Sequence, residues 1–356
     1  MKFIKSALPM FLALGTIAGC SSTSSVSVNE DTVKSEEVSP EIARLIQGCD
    51  SNDADSCFDL GVRYDDGQGV KQDYSKATTY YEKACSMNDG DGCFISGLYY
   101  SQGKGVKQDY SKASTLYEKA CNLNDGVGCS NLGYLYDNGQ GVKRDYRKAN
   151  AYYEKACNLN NGLGCFYLGN SYYNGEGVKK DYSKANTYWE KACNLNDGGG
   201  CSNLGYLYDN GQGVKRDYRK ANAYYEKACD MNDGLGCRNL GVLYRDSKGV
   251  KQDYRKANTY FEKACSLNEG GGCVNLGNAY GDGKGVKQDY TKANTYYEKS
   301  CSLNEGAGCN NLGSLYHNGQ GVRQNKATAK KYYGKACDLG EQLGCDNYRI
   351  LNEQGY

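Results

Sequence analysis

Nineteen cysteines are the residues best placed for chemistry in this sequence, and eighteen of them fall in pairs eight positions apart. The pairs are Cys49 and Cys57, Cys85 and Cys93, Cys121 and Cys129, Cys157 and Cys165, Cys193 and Cys201, Cys229 and Cys237, Cys265 and Cys273, Cys301 and Cys309, and Cys337 and Cys345, one pair every 36 residues. Two chemistries use cysteine at this density, thiolate–metal coordination and disulfide formation. Coordination calls for a Cys-x-x-Cys spacing or histidine partners, and the chain has neither, with His317 its single histidine. A bridge needs Cα atoms roughly 4.4–6.8 Å apart. Residues eight apart on one continuous helix are about 12 Å apart and could not bond. Asn-Asp-Gly or a close variant lies between most partners, however, and breaks the helix. An antiparallel hairpin then brings the last turn of one helix beside the first turn of the next. Pairing like with like across units would have to span a repeat step of about 10 Å. Nine local bridges, Cys49–Cys57 through Cys337–Cys345, are therefore expected, and no metal.

Other chemistry is sparse. Ser101-Gln102-Gly103-Lys104 matches S-x-x-K, but it runs off a helix end into a glycine turn, and no K-T-G follows. One histidine permits no Ser/His/Asp set. The Gly-x-Gly-Val-Lys loops lack the Walker spacing and recur in nearly every unit, as a structural turn would. No catalytic residue and no cofactor is expected. Lys plus Arg number 43 against 42 Asp plus Glu, so no excess charge is expected to draw in nucleic acid or an anionic surface.

Residues 1–19 read as an export signal, with Lys2 and Lys5 ahead of a short apolar run from Ala7 to Gly19. Ile17-Ala18-Gly19-Cys20 resembles the lipobox of bacterial lipoproteins. That resemblance implies cleavage before Cys20, lipidation of Cys20, and, with Ser21 next, an outer-membrane lipoprotein held by its lipid anchor alone on the periplasmic or cell-surface side, or secreted. Residues 20–40 are Ser-rich, hold no aromatic residue, and bury too little to offset ordering entropy, so they read as a disordered tether. Export favours oxidised cysteine.

Residues 41–356 read as a solenoid. Eight full units run from residue 57 to 344, between a capping helix at 41–56 and a C-terminal cap at 345–356. In unit three, Cys129, Leu132, Gly133 and Tyr136 mark one face of a helix A of about ten residues. Gly139-Gln140-Gly141 breaks it. Asp145 is placed to cap helix B, whose stripe is Tyr146, Ala149, Tyr153, Ala156 and Cys157, and Asn161-Gly162 stops it. Neither stripe is buried until units stack. The expected fold is an all-α, α/α solenoid or superhelix of helix-turn-helix repeats, each hairpin junction stapled by a Cys-x7-Cys bridge. Tyrosines at positions 8 and 25 of a unit, counted from its first cysteine, read as core. The 29 residues from 129 recur identically from 201, which reads as duplication.

Units reading L-G-x-x-Y, then G-x-G-V-x-x-D-Y-x-K-A, then Y-Y-E-K-A-C resemble the Sel-one-like repeat (SLR) family, relatives of tetratricopeptide repeats. The cysteine spacing is similar to that of the secreted cysteine-rich SLR proteins of Helicobacter and Campylobacter. The resemblance implies the same superhelix and bridges. It also implies binding of β-lactams or peptidoglycan fragments with weak β-lactamase activity, to which no residue here is matched. Unit eight departs, with Asn325-Lys326 for Asp-Tyr and Gly334 for Glu, so its helix B is expected to be looser.

Recurrence separates framework from freedom. Positions 1, 4, 5 and 8 repeat almost unchanged, while positions 3, 6, 7 and 10 point the other way around helix A and vary more. Helix A reads as shorter than helix B, which places it on the inside of the curve. Position 3 is Asn131, Asn203, Asn239, Asn275, Asn311 and Asn347. A row of amides suits an extended peptide backbone, since each both donates and accepts. Tyr134 and Tyr206, at position 6, join them as candidate contacts. The expected function is a scaffold that binds a peptide or protein on its concave helix-A face.

Overall fold

The computed structural model describes residues 39–356, so the expected signal peptide, Cys20 and all but the last two residues of the tether lie outside the described residues. Among the described residues there are eighteen α-helices and no strand. Pro40–Asp50 comes first; Ser39 accepts a hydrogen bond from the Ile42 amide, and Glu41 sits in its first turn. Helix A of units one to eight is Ala54–Asp66, Gly90–Gln102, Gly126–Asn138, Gly162–Asn174, Gly198–Asn210, Gly234–Asp246, Gly270–Asp282 and Gly306–Asn318. Helix B is Tyr74–Ser86, Tyr110–Asn122, Tyr146–Asn158, Tyr182–Asn194, Tyr218–Asp230, Tyr254–Ser266, Tyr290–Ser302 and Lys326–Asp338. Gln342–Glu353 closes the array.

The two helices of a unit are equally long, 13 residues each. The expectation of a shorter helix A fails because the helix begins ahead of its cysteine. Asn160, not Gly162, makes the break: it takes a left-handed φ of 59°, which Asn tolerates. Asn161 is already the N-cap of the next helix, accepting from the Gly164 amide at 2.8 Å. The glycine after the cap eases close approach. A Cβ on Gly126 would lie 3.1 Å from the Asn161 Cβ and 3.3 Å from that of Leu159, so its absence lets successive turns nest without a shift of a few tenths of an ångström.

Helix B starts as read. Asp145 is extended at φ −153° and accepts from the Arg147 and Lys148 amides at 3.0 and 3.1 Å. In unit eight Asn325 does the same for Thr328 at 3.0 Å, and Gly334 lies inside a helix of normal length. Asparagine caps as aspartate does, so this helix keeps its N-terminal bond and its full length.

Packing within a unit rests on an aromatic ring laid flat on a glycine. A Cβ on Gly205 would meet the Tyr225 ring at 2.5 Å, and the same relation joins Gly169 to Trp189 and Gly241 to Phe261. Position 25 is thus core, with Tyr225 only 1 % exposed. Position 8 is not. Tyr208 is half-buried and stacks on Tyr224 at 5.6 Å, with the Lys220 ammonium 5.1 Å above its ring. Aromatic stacking and cation–π contact take the place of burial there. The second glycine of each G-x-G loop is a packing device too: a Cβ on Gly141, at φ +67°, would fall 2.2 Å from the Tyr110 carbonyl carbon of the preceding unit.

All nine bridges are present as expected, with Cα–Cα distances of 4.4–4.7 Å. From Cys85–Cys93 on, the bridge of each unit ties its helix B to the following helix A. Eight of the pairs are buried, and Cys337–Cys345 is half-buried.

Apart from Asn161, the helix-A caps of the eight units are acids, forming a column along the turn edge. Burial is the largest influence on Asp89, Asp125, Asp197 and Glu269 and raises all four carboxyls above the ordinary range, against the pull of the amides they cap. A carboxyl with a raised folded pKa holds its proton at a pH where the unfolded chain has lost it. Stability therefore rises as pH falls from neutral into the mildly acidic range, and the gain saturates below the ordinary carboxyl pKa. Urea unfolding followed by circular dichroism should give a higher midpoint at pH 5 than at pH 7. A midpoint that falls over that interval would contradict the buried-acid column.

Candidate functional site

Spacing, rather than length, distinguishes the two layers. From unit two onward, consecutive helix-A elements touch directly, ending with Gly306–Asn318 against Gln342–Glu353, whereas consecutive helix-B elements touch at most marginally. A stack with one closer-spaced layer bends toward that layer.

The six position-3 asparagines are all half-buried on helix A. Each is tied into the chain. Asn203 Nδ2 donates to Asn170 Oδ1 of the preceding unit at 3.1 Å, Asn311 to Asn278 Oδ1 at 3.2 Å, and Asn347 to Asn310 Oδ1 at 3.0 Å. Asn131 donates to the Val127 carbonyl at 3.0 Å, and Asn275 to that of Gly271 at 2.9 Å. Asn275 also accepts from Arg245 at 2.8 Å, and Asn239 from Arg238 at 3.3 Å. The row is thus partly a structural ladder between neighbouring A helices.

Tyr134 and Tyr206 are half-buried at position 6 and do not meet each other. The Tyr134 ring lies 6.1 Å from Tyr167, and Tyr206 lies edge-on to Tyr173 at 6.5 Å. Unit four supplies both of these neighbours, together with Asn170, which sequence reasoning passed over. Its signal was legible: Tyr167 stands where most units have Asn, and the chain's one Trp, Trp189, follows in helix B. Trp189 Nε1 donates to Asn170 Oδ1 at 3.1 Å, so one amide oxygen serves both Trp189 and Asn203. Burial pushes the Tyr167 hydroxyl up to about 12.

The S-x-x-K residues are engaged elsewhere. Ser101 donates to the Leu98 carbonyl at 2.8 Å and lies 3.3 Å from the Tyr117 hydroxyl. The Lys104 ammonium is held by Asp65 at 2.8 Å and Tyr99 at 2.7 Å. His317 packs edge-on to Tyr333. Among the described residues no group of three or more His, Cys, Asp or Glu is placed to hold a metal, and no helix is long and apolar enough to cross a membrane.

A disulfide-stapled α/α repeat array of this kind is a scaffold, a fold typical of protein–protein interaction. The Sel1 repeat model matches eight consecutive times, at residues 54–89, 90–125, 126–161, 162–197, 199–233, 234–269, 271–305 and 306–341. The chain belongs to the Sel1 repeat family. Its fold is similar to that of a protective antigen of uropathogenic Escherichia coli displaying an SLR fold, with a TM-score of 0.69 and 28% identity over 88% of this chain and 68% of that one. It is also similar to a Sel1 repeat protein from Oxalobacter formigenes, with a TM-score of 0.61 and 25% identity over 68% of this chain and 96% of that one. Helicobacter pylori cysteine rich protein B is 43% identical over 38% of this chain and 98% of its own length, with a TM-score of 0.32. No curated protein matches the chain.

Proposed function

We propose that the protein is an exported, lipid-tethered Sel1-repeat scaffold whose helix-A layer forms a concave wall for an extended peptide or a protein segment. The closer spacing of the A helices supports that choice of wall. The observation that carries the reading is the amide row. Asn203, Asn311 and Asn347 spend an N–H on the neighbouring unit, and no hydrogen bond within the described residues engages their Oδ1 atoms. Half-buried acceptors recurring along a groove match the amides of an extended chain. Tyr134 and Tyr206 flank the row with ring surface. Nine bridges suit an oxidising compartment, in keeping with the signal and lipobox read at residues 1–20 and with an anchor at Cys20 in the outer membrane.

Peptides selected from a random display library on the oxidised protein test the wall. A variant carrying Asn203→Ala, Asn311→Ala and Tyr134→Ala should lose about tenfold or more in affinity for them, roughly 1.4 kcal/mol, with its helical circular dichroism intact. Selected peptides that bind the variant unchanged would overturn the assignment. The alternative, β-lactam or peptidoglycan-fragment binding with weak hydrolysis, is tested by nitrocefin turnover with the same protein, and turnover no faster than buffer removes it.

A further inference from the structure

The nearly balanced net charge conceals a segregation across the width of the rod. In unit five the turn edge carries Glu226, Asp230 and Asp233 against Lys227, whereas the loop edge carries Lys215, Arg216, Arg219 and Lys220 against Asp209 and Asp217. The loop-edge cations are exposed. Asp217 is committed to capping helix B, accepting from the Arg219 and Lys220 amides at 3.0 and 3.1 Å. The pattern repeats. Lys143-Arg144, Lys179-Lys180 and Lys215-Arg216 form one exposed doublet per unit across units three to five, and among the described residues no salt bridge holds any of the six. A shallow cavity of about 420 Å³ opens at the doublet of unit five, lined by Tyr208, Val214, Lys215, Arg216, Asp217 and Lys220. An equivalent cleft opens beside Tyr100 and Lys107 in unit two.

We infer that this loop edge is a docking strip for a linear anionic polysaccharide. Three doublets in series give a polymer several simultaneous contacts, each raising the effective concentration for the next. The aromatic rings of the strip are already capped from within the chain: Arg144 lies 5.5 Å over Tyr146, Lys180 4.8 Å over Tyr182, and Arg216 5.6 Å over Tyr218. Each of these half-buried rings thus has a face taken by a cation of its own chain, which reduces the surface offered for the base stacking on which single-stranded nucleic acid relies. A solenoid edge follows the twist of its repeats, so a flexible chain can track it while a flat bilayer meets few units at once. Charge without stacking, spread along a winding line, is what an acidic glycan offers to match.

Fluorescent heparin is the probe, titrated into the full oxidised chain by anisotropy at several salt concentrations. Affinity should fall steeply with salt, and neutral dextran should not bind. Replacing Lys143, Arg144, Lys179, Lys180, Lys215 and Arg216 with Ser should weaken heparin binding by about tenfold or more. A control with Lys155→Ser, Lys191→Ser and Lys227→Ser removes cations from the other end of helix B and should bind like the parent. Both variants are first matched to the parent by circular dichroism. The strip is overturned if the six-site variant binds like the parent, or if the control loses as much. A single-stranded oligonucleotide or phosphatidylglycerol vesicles bound more tightly than heparin would overturn the choice of occupant.

Discussion

Reduction of the nine bridges should unfold the array at 37 °C, while the oxidised chain stays helical well above that temperature. Each bridge closes a loop of about nine residues and contributes roughly 2–3 kcal/mol by restricting the unfolded chain. Nine such contributions exceed the ~5–15 kcal/mol that separates folded from unfolded in ordinary proteins. The buried framework mixes rings and leucines, such as Tyr153 and Leu132, with small side chains such as Ala149 and Ala156, whose transfer energies are modest. Helical circular dichroism at 37 °C with and without a phosphine reductant reads the effect. The paired substitution Cys193→Ser with Cys201→Ser isolates one bridge and should cost about 2–3 kcal/mol in urea unfolding. Under limiting reductant the half-buried Cys337–Cys345 bridge should open first, because the other eight pairs lie in the core. A reduced chain that melts with the oxidised one would show that packing alone holds the stack.

The architecture was legible because a repeated sequence reports on itself. Cysteines eight apart, with a helix breaker between them, leave a hairpin junction as the place to bond, and that is where Cys157 and Cys165 meet, Cα atoms 4.6 Å apart. Asp145 as the cap of helix B was equally readable, since cap and helix are neighbours in sequence. What failed was the assignment of duties inside the turn. Asn160-Asn161-Gly162 holds three residues that all favour turns, and composition does not say which takes the left-handed φ, which caps and which nests against the next unit. Assigning the break to the glycine shortened helix A and supplied a false reason for placing it inside the curve. The amide row shows a different limit. Six recurring asparagines were visible, but their partners lie up to 37 residues away, as with Asn347 and Asn310, and only packing brings those together.

Trp189→Ala should be the most damaging single core substitution outside the cysteines, at about 3–5 kcal/mol. Trp189 is 2 % exposed and lies against Gly169, where a Cβ would come within 2.4 Å of the ring. Truncation would leave a cavity between rigid helices that are stapled to both neighbouring units and so cannot collapse to fill it. The indole N–H also donates to the Phe166 carbonyl at 3.2 Å and to Asn170 Oδ1 at 3.1 Å, and its loss strips one of the two donors from the amide that receives Asn203. Trp189→Phe is the informative companion. Phe261 fills the same place against Gly241 in unit six, so the ring should be accepted, and the loss should shrink to about 0.5–1.5 kcal/mol for the missing hydrogen bonds. Gly169→Ala attacks the contact from the other side and should cost about 1–3 kcal/mol by overpacking. Urea unfolding by circular dichroism ranks the three. An alanine variant within about 1 kcal/mol of the parent would mean that the ring-on-glycine contact does not hold the unit together. The order alanine worst, phenylalanine mildest would place the strength of each unit in that mid-helix contact, about one turn from the cysteines Cys165 and Cys193.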